Sequence, residues 1–174
     1  MTSTLSHELR FGTGEFLAER RAIVNLSLIA SASMALITLY QVGIIKHIPE
    51  PALPMLDAEK VNGSEQAYAK FAVPDAFLGV ASLAATATLA AMGGTRRSPL
   101  LAMAMAAKIG FDAANAAKLT LDQWTKHRAF CLWCLIAAGA TFAMVPRVLP
   151  ELRAAIRTLR RRPVPDRWPR ENES

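Results

Sequence analysis

Two cysteines and three histidines in 174 residues leave little material for metal chemistry. A zinc site needs four ligands, and Cys131 and Cys134 with His127 supply at most three, so a metal centre is not expected. Aromatic residues are also scarce, at 7%, while the hydrophobic share reaches 52%. That excess is mostly Ala, Leu, Val, Ile and Met gathered in blocks, a pattern that points away from a soluble domain of this length. There is no internal repeat and no low-complexity segment. Charge is missing altogether from residues 22 to 45, "AIVNLSLIASASMALITLYQVGII".

That uncharged block is bracketed by Arg20, Arg21 and Lys46. At roughly 1.5 Å per residue it is long enough to cross a hydrocarbon core of about 30 Å. It exceeds a signal-peptide core, and no small-residue cleavage site follows it. Three further blocks are read as helices: 71 to 92, with Pro74 and Asp75 near its start; 99 to 121, which contains Lys108 and Asp112; and the block opened by "HRAFCLWCLIAAGATFAMV", ending near 148. Proline and an acidic residue suit a helix start. Lys108 and Asp112 are one turn apart and would each be costly alone in lipid, so they are expected to meet inside the bundle, as an ion pair or as part of a proton path. Trp124 and Trp133 read as interface anchors, and Met103 and Met105 as packing.

Counting Lys and Arg by side gives 13 on one face, including eight arginines from Arg147 onward, against 6 on the other. The positive-inside rule then places both termini in the cytoplasm. The formal net charge of +6 belongs mainly to that rim and calls for no nucleic acid. The expected architecture is all-α: an integral membrane four-helix bundle (22–148) with an outer loop cap, a short cytoplasmic N-terminal segment (1–21) and a basic cytoplasmic tail helix (149–174). In that tail Leu149, Leu152, Ile156 and Leu159 recur at helical spacing among arginines. The outer connection, 46 to 70, starts Pro-rich and is expected to form a short helix from Asp57. Asn62-Gly63-Ser64 fits a glycosylation sequon, and is read as a turn.

Cys131 and Cys134 carry the chemistry. Residues i and i+3 share a helix face, and their spacing suits the Cα separation of a disulfide. Placed at the start of the fourth helix, Cys131 is expected near water, with the helix dipole, His127 and Arg128 favouring its thiolate. Cys134 is expected about 4.5 Å deeper, from a rise of roughly 1.5 Å per residue. That difference suggests exchange with a water-borne dithiol at Cys131 and an electron acceptor in lipid at Cys134.

With "CLWC" at 131 to 134, "VPDAFLG" at 73 to 79 and "YQVGIIKH" at 40 to 47, the chain resembles the vitamin K epoxide reductase family of membrane thiol-quinone oxidoreductases over roughly residues 20 to 150. The resemblance implies a quinone held against the C-x-x-C pair, with Asp75 at the position of a quinone hydrogen-bonding residue and Trp133 walling the acceptor site. It also implies a thioredoxin-like protein or small thiol as partner on the outer face of a bacterial inner membrane. Two features depart from the family pattern. Residues 46 to 70 lack the second cysteine pair that relays electrons, and Ala138 stands where many members have a quinone-contacting Tyr. A noncatalytic quinone-binding or scaffold subunit is the competing reading.

Overall fold

The computed structural model describes residues 2–68, 73–95 and 97–161. Within them the chain is helical: α1 Thr2–Phe11, α2 Leu17–Gln41, α3 Ala58–Asn62, α4 Asp75–Ala91, α5 Pro99–Asp122 and α6 Leu132–Arg160, with a 3-10 turn at Glu65–Tyr68 and a π-turn at Gln123–His127. The local signals for these elements are readable. Ser98 caps α5 by accepting the N–H of Leu100, with Pro99 at the first helical position, where its missing N–H costs nothing. Asp57 caps α3 by accepting the N–H of Lys60 at 2.8 Å, as its position before the short helix suggested.

Three helical stretches, Leu17–Gln41, Pro99–His127 and Leu132–Arg160, are long and apolar enough to cross a membrane. The fourth apolar helix, α4, has 17 residues. The expected start of that block at 71 lies outside the described residues. α2 packs against both α4 and α6, α5 packs against α6, and α4 meets α5 only lightly. The core they share is built from Ile23 and Ala30, Leu83 and Ala90, Met105 and Ile109, and Ala137, Ala140, Met144 and Val148, with two residues from each of α2, α4 and α5 and four from α6. Small residues bring the helices close: a Cβ on Gly79 of α4 would come within 3.2 Å of the Met34 sulfur on α2. Large apolar side chains such as Leu28, Phe77, Leu100, Phe111 and Phe142 face outward. An apolar exterior around helices brought close by small residues at their contacts is the pattern of a bundle solvated by lipid.

One boundary differs from the sequence reading. The fourth helix does not end near 148 ahead of a separate tail helix; α6 runs unbroken for 29 residues through Pro146 and Pro150 to Arg160. The spacing of Leu149, Leu152, Ile156 and Leu159 among arginines suggested a separate surface helix, but a buried contact ties this stretch to the bundle. Glu151 Oε1 lies 2.7 Å from Arg97 Nε, with side-chain exposures of 9% and 4%. Arg97 also donates to the Leu89 carbonyl, and nearby Arg20 donates to the carbonyls of Met92, Gly93 and Gly94 at the end of α4. The expected tail beyond residue 161 lies outside the described residues.

Removing one partner of a buried pair strands the other charge, at a cost of about 3–5 kcal/mol, whereas replacing both with apolar groups is often neutral. Glu151→Met alone should therefore lower the thermal midpoint of the detergent-solubilised protein further than Arg97→Met and Glu151→Met together. The opposite order in a thermal-shift series would show that this pair does not anchor the extension of α6.

Candidate functional site

Cys131 is the N-cap of α6, in extended conformation, and its sulfur accepts the N–H of Cys134 at 3.3 Å. A side-chain acceptor at this position satisfies one of the free N–H groups of the first turn. Both cysteines are free thiols. The Cys134 thiol donates to Asn62 Oδ1 at 3.6 Å. Asn62 in turn donates from Nδ2 to the Ala58 carbonyl, so the turn at the end of α3 is fixed over the dithiol. The sequon asparagine is therefore buried and engaged within the fold, consistent with the turn reading.

The expected depths of the two cysteines are reversed in accessibility. Cys131 is 0% exposed, while Cys134 is partly exposed. The cause is the segment 46–62, which folds onto the start of α6. Ile48, Ala58 and Val61 pack with Cys131, together with Ile37, Ala76 and Ala129. Leu56 pairs with Phe130, through the bonds Phe130 N–H to Met55 O at 2.7 Å and Asp57 N–H to Phe130 O at 2.9 Å. Glu50 clamps both sides: Oε1 accepts the N–H of Ala58 at 2.6 Å and Oε2 the N–H of Leu132 at 3.2 Å. Its carboxylate thus serves two helix N-termini, where negative charge is favoured.

Hydrogen bonding from the Cys134 thiol, first, then from the Cys134 N–H and the Asn62 side chain, holds the Cys131 pKa below its ordinary value. Burial and the Glu50 charge oppose that shift. The neighbours expected to do this are engaged elsewhere. The guanidinium of Arg128 sits over the Trp124 ring, which stacks on Phe130, and His127 lies on the wall of a cavity.

That cavity, about 430 Å³, lies where α4 and α5 meet only lightly. Cys134 and Asp75 are on its wall, with an apolar stretch that includes Leu78, Leu83, Leu119 and Ala138. Its volume falls within the roughly 300–1,000 Å³ of small-molecule sites, and a mostly apolar lining with a few polar groups is their usual composition. Ala138 contributes no polar group. Trp133, expected to wall this site, is not part of the lining; its indole N–H donates to the Pro49 carbonyl at 2.8 Å and so ties the covering segment to α6.

Asp75 opens α4 but does not cap it. Gln41, at the end of α2, does: its Oε1 accepts the N–H of Ala76 at 3.3 Å, and its Nε2 donates to Asp75 Oδ1 at 2.8 Å. The Asp75 carboxylate is thereby aimed by a neighbouring helix. The inner end of the cavity includes Ser82 and Asp112. There Lys108 Nζ lies 2.6 Å from Asp112 Oδ2, to which Thr86 Oγ1 also donates at 2.9 Å, while Ser82 Oγ donates to Asp112 Oδ1 at 2.8 Å. The pair expected to face the bundle does so, with α4 hydroxyls completing its hydrogen bonds.

Sequence reasoning missed the carboxamides that organise the site: Gln41, Asn62 and Gln123, together with Glu50. Gln123 Oε1 accepts the Cys131 N–H at 2.8 Å. The positions of these residues carry no sequence signal: Gln41 lies inside the uncharged block 22–45, and Gln123 follows Asp122 in a polar connection.

Residues 21–149 match the vitamin K epoxide reductase family. The chain belongs to that family. Its members are membrane thiol-quinone oxidoreductases, and the three apolar helices of membrane-spanning length agree with an integral membrane protein. No curated protein matches the chain closely enough to be counted as a relative.

Proposed function

We propose that this family member oxidises external thiols and passes their electrons to a quinone through Cys131 and Cys134. The observation that carries the reading is the placement of Cys134: it joins a buried dithiol to the wall of a mostly apolar cavity that also presents Asp75. The dithiol gives up two electrons and two protons on closing its disulfide, and the quinone takes up both as it becomes a hydroquinone. A donor thiolate then attacks Cys131 Sγ and releases Cys134 as the thiolate; a second donor thiol resolves the mixed disulfide. Because segment 46–62 covers Cys131, the donor, a thioredoxin-like protein or a small thiol, engages it only when that segment lifts. A mobile gate takes the place of the relay cysteines that residues 46 to 70 lack.

In this reading α2, α4, α5 and α6 span a bacterial inner membrane as a four-helix bundle, with the dithiol end outward and the arginine-rich end in the cytoplasm. The ring enters the cavity through the loosely packed side between α4 and α5, whose rim carries the outward-facing Phe111 and Leu119. Asp75, when protonated, donates to a quinone oxygen, and Gln41 fixes its orientation.

Occupancy of the cavity should shield Cys134. A short-chain ubiquinone is expected to slow alkylation of Cys134 by N-ethylmaleimide in the reduced Cys131→Ser protein, where quinone cannot close a disulfide. In Asp75→Ala about tenfold more quinone should be needed for the same protection, the loss expected for one hydrogen bond. Equal alkylation of Cys134 with and without quinone would remove the acceptor site from this cavity.

A further inference from the structure

We propose that Gln123 is a second hydrogen-bond donor to the acceptor, held in register by the backbone of Cys131; the proposal rests on the quinone reading above. Gln123 is 4% exposed and begins the π-turn between α5 and α6, a form of helix that recurs at functional sites. Its Oε1 accepts the Cys131 N–H at 2.8 Å. That bond decides which way round the carboxamide sits, because a backbone N–H must meet the oxygen and not the NH2 group. The NH2 group is then the end left over. Gln123 is part of the cavity wall on which Cys134 and Asp75 lie. No acceptor among the described residues takes a bond from Nε2, and Nε2 is not among the buried atoms sealed away without a partner. The carboxamide therefore presents two free N–H groups to the cavity.

A donor in that place has a chemical use. Electron transfer to a quinone builds negative charge on its oxygens, and a preorganised donor there stabilises the reduced form more than the oxidised one. Asp75 donates only when protonated, and its Oδ1 already accepts from Gln41. The Gln123 amide donates at any pH. One side chain thus fixes the N-cap cysteine and meets the acceptor, so the position of the acceptor follows that of the dithiol.

The test compares the full chain in detergent with Gln123→Glu and Gln123→Met, each with the Cys131–Cys134 disulfide already formed so that added quinone is not consumed and neither thiol titrates, reading the dissociation constant of a short-chain ubiquinone by equilibrium dialysis. A glutamate keeps the acceptor for the Cys131 N–H; it has no donor when ionised and regains one when protonated. Relative to wild type, Gln123→Glu should bind about tenfold more weakly near pH 8 and within about threefold near pH 5, while Gln123→Met is weak at both. Taking the ratio to wild type at each pH removes the titration of Asp75, Asp112, Lys118, Asp122 and His127, which line the same cavity in all three proteins. Binding by Gln123→Glu equal to wild type near pH 8, or equally weak at both pH values, would overturn the donor role and leave the quinone reading intact. Absence of binding by wild type would overturn both.

Discussion

Replacing Cys134 with serine is expected to reduce quinone-linked thiol oxidation by on the order of a thousandfold or more, the scale seen when a reacting nucleophile is removed. The substitution is conservative for the fold. A serine hydroxyl can still donate to Asn62 Oδ1, and the Cys134 N–H that bonds the Cys131 sulfur is unchanged. What disappears is the second sulfur of the disulfide, so two electrons can no longer leave the pair together. Cys131 remains able to attack a disulfide on an oxidised partner, and with no resolving thiol the mixed disulfide should persist. Loss of turnover with retained thermal stability, and a trapped adduct on Cys131, can be read by activity assay, thermal shift and mass spectrometry. Turnover within a few fold of wild type would mean that the C-x-x-C pair does not carry the electrons.

The second large effect concerns access. Glu50 closes segment 46–62 onto α6 by accepting two N–H groups that lie far apart in sequence, Ala58 and Leu132. Hydrogen bonds to a charged group contribute about 1.5–3 kcal/mol each. Ala58 belongs to the segment itself, so only the Leu132 bond crosses to α6, and losing it in Glu50→Ala should raise the population of open molecules, and hence the alkylation rate of Cys131, by roughly tenfold to a hundredfold. Electrostatics act in the same direction. The Glu50 charge raises the Cys131 pKa, so its removal lowers that pKa further and increases the thiolate fraction at neutral pH. Site-resolved alkylation kinetics on the reduced protein measure this directly. An unchanged rate at Cys131 would show that something other than this clamp limits access to it.

Much of the architecture was legible because lipid imposes a simple rule on sequence. The uncharged run through α2 and the i,i+4 pair of Lys108 and Asp112 each follow from a local pattern and one physical cost. The C-x-x-C motif was legible for a similar reason, since its chemistry depends on spacing. Burial of Cys131 was not. It depends on Leu56 meeting Phe130 and on Glu50 reaching Leu132, contacts across more than seventy residues that leave no periodic trace. Helical spacing suggested a difference in depth between the two sulfurs, but accessibility is set by what folds over them. Trp133 was misplaced for the same reason: its direction follows a hydrogen bond to Pro49 and not its position between the cysteines. In α6 the amphipathic spacing of Leu149, Leu152, Ile156 and Leu159 suggested a separate surface helix, while the buried contact of Glu151 with Arg97, which ties that stretch to the bundle, is tertiary.

The central claim is that Cys131 and Cys134 form one dithiol whose oxidant is a quinone. It is tested most directly by the redox state of the pair in the reduced, full-length protein in membranes, read as a maleimide gel shift before and after addition of a short-chain ubiquinone. The account predicts that both thiols label before addition and neither labels after it, and that Cys134→Ser keeps its one label throughout. Two thiols that still label fully at any quinone concentration would contradict it.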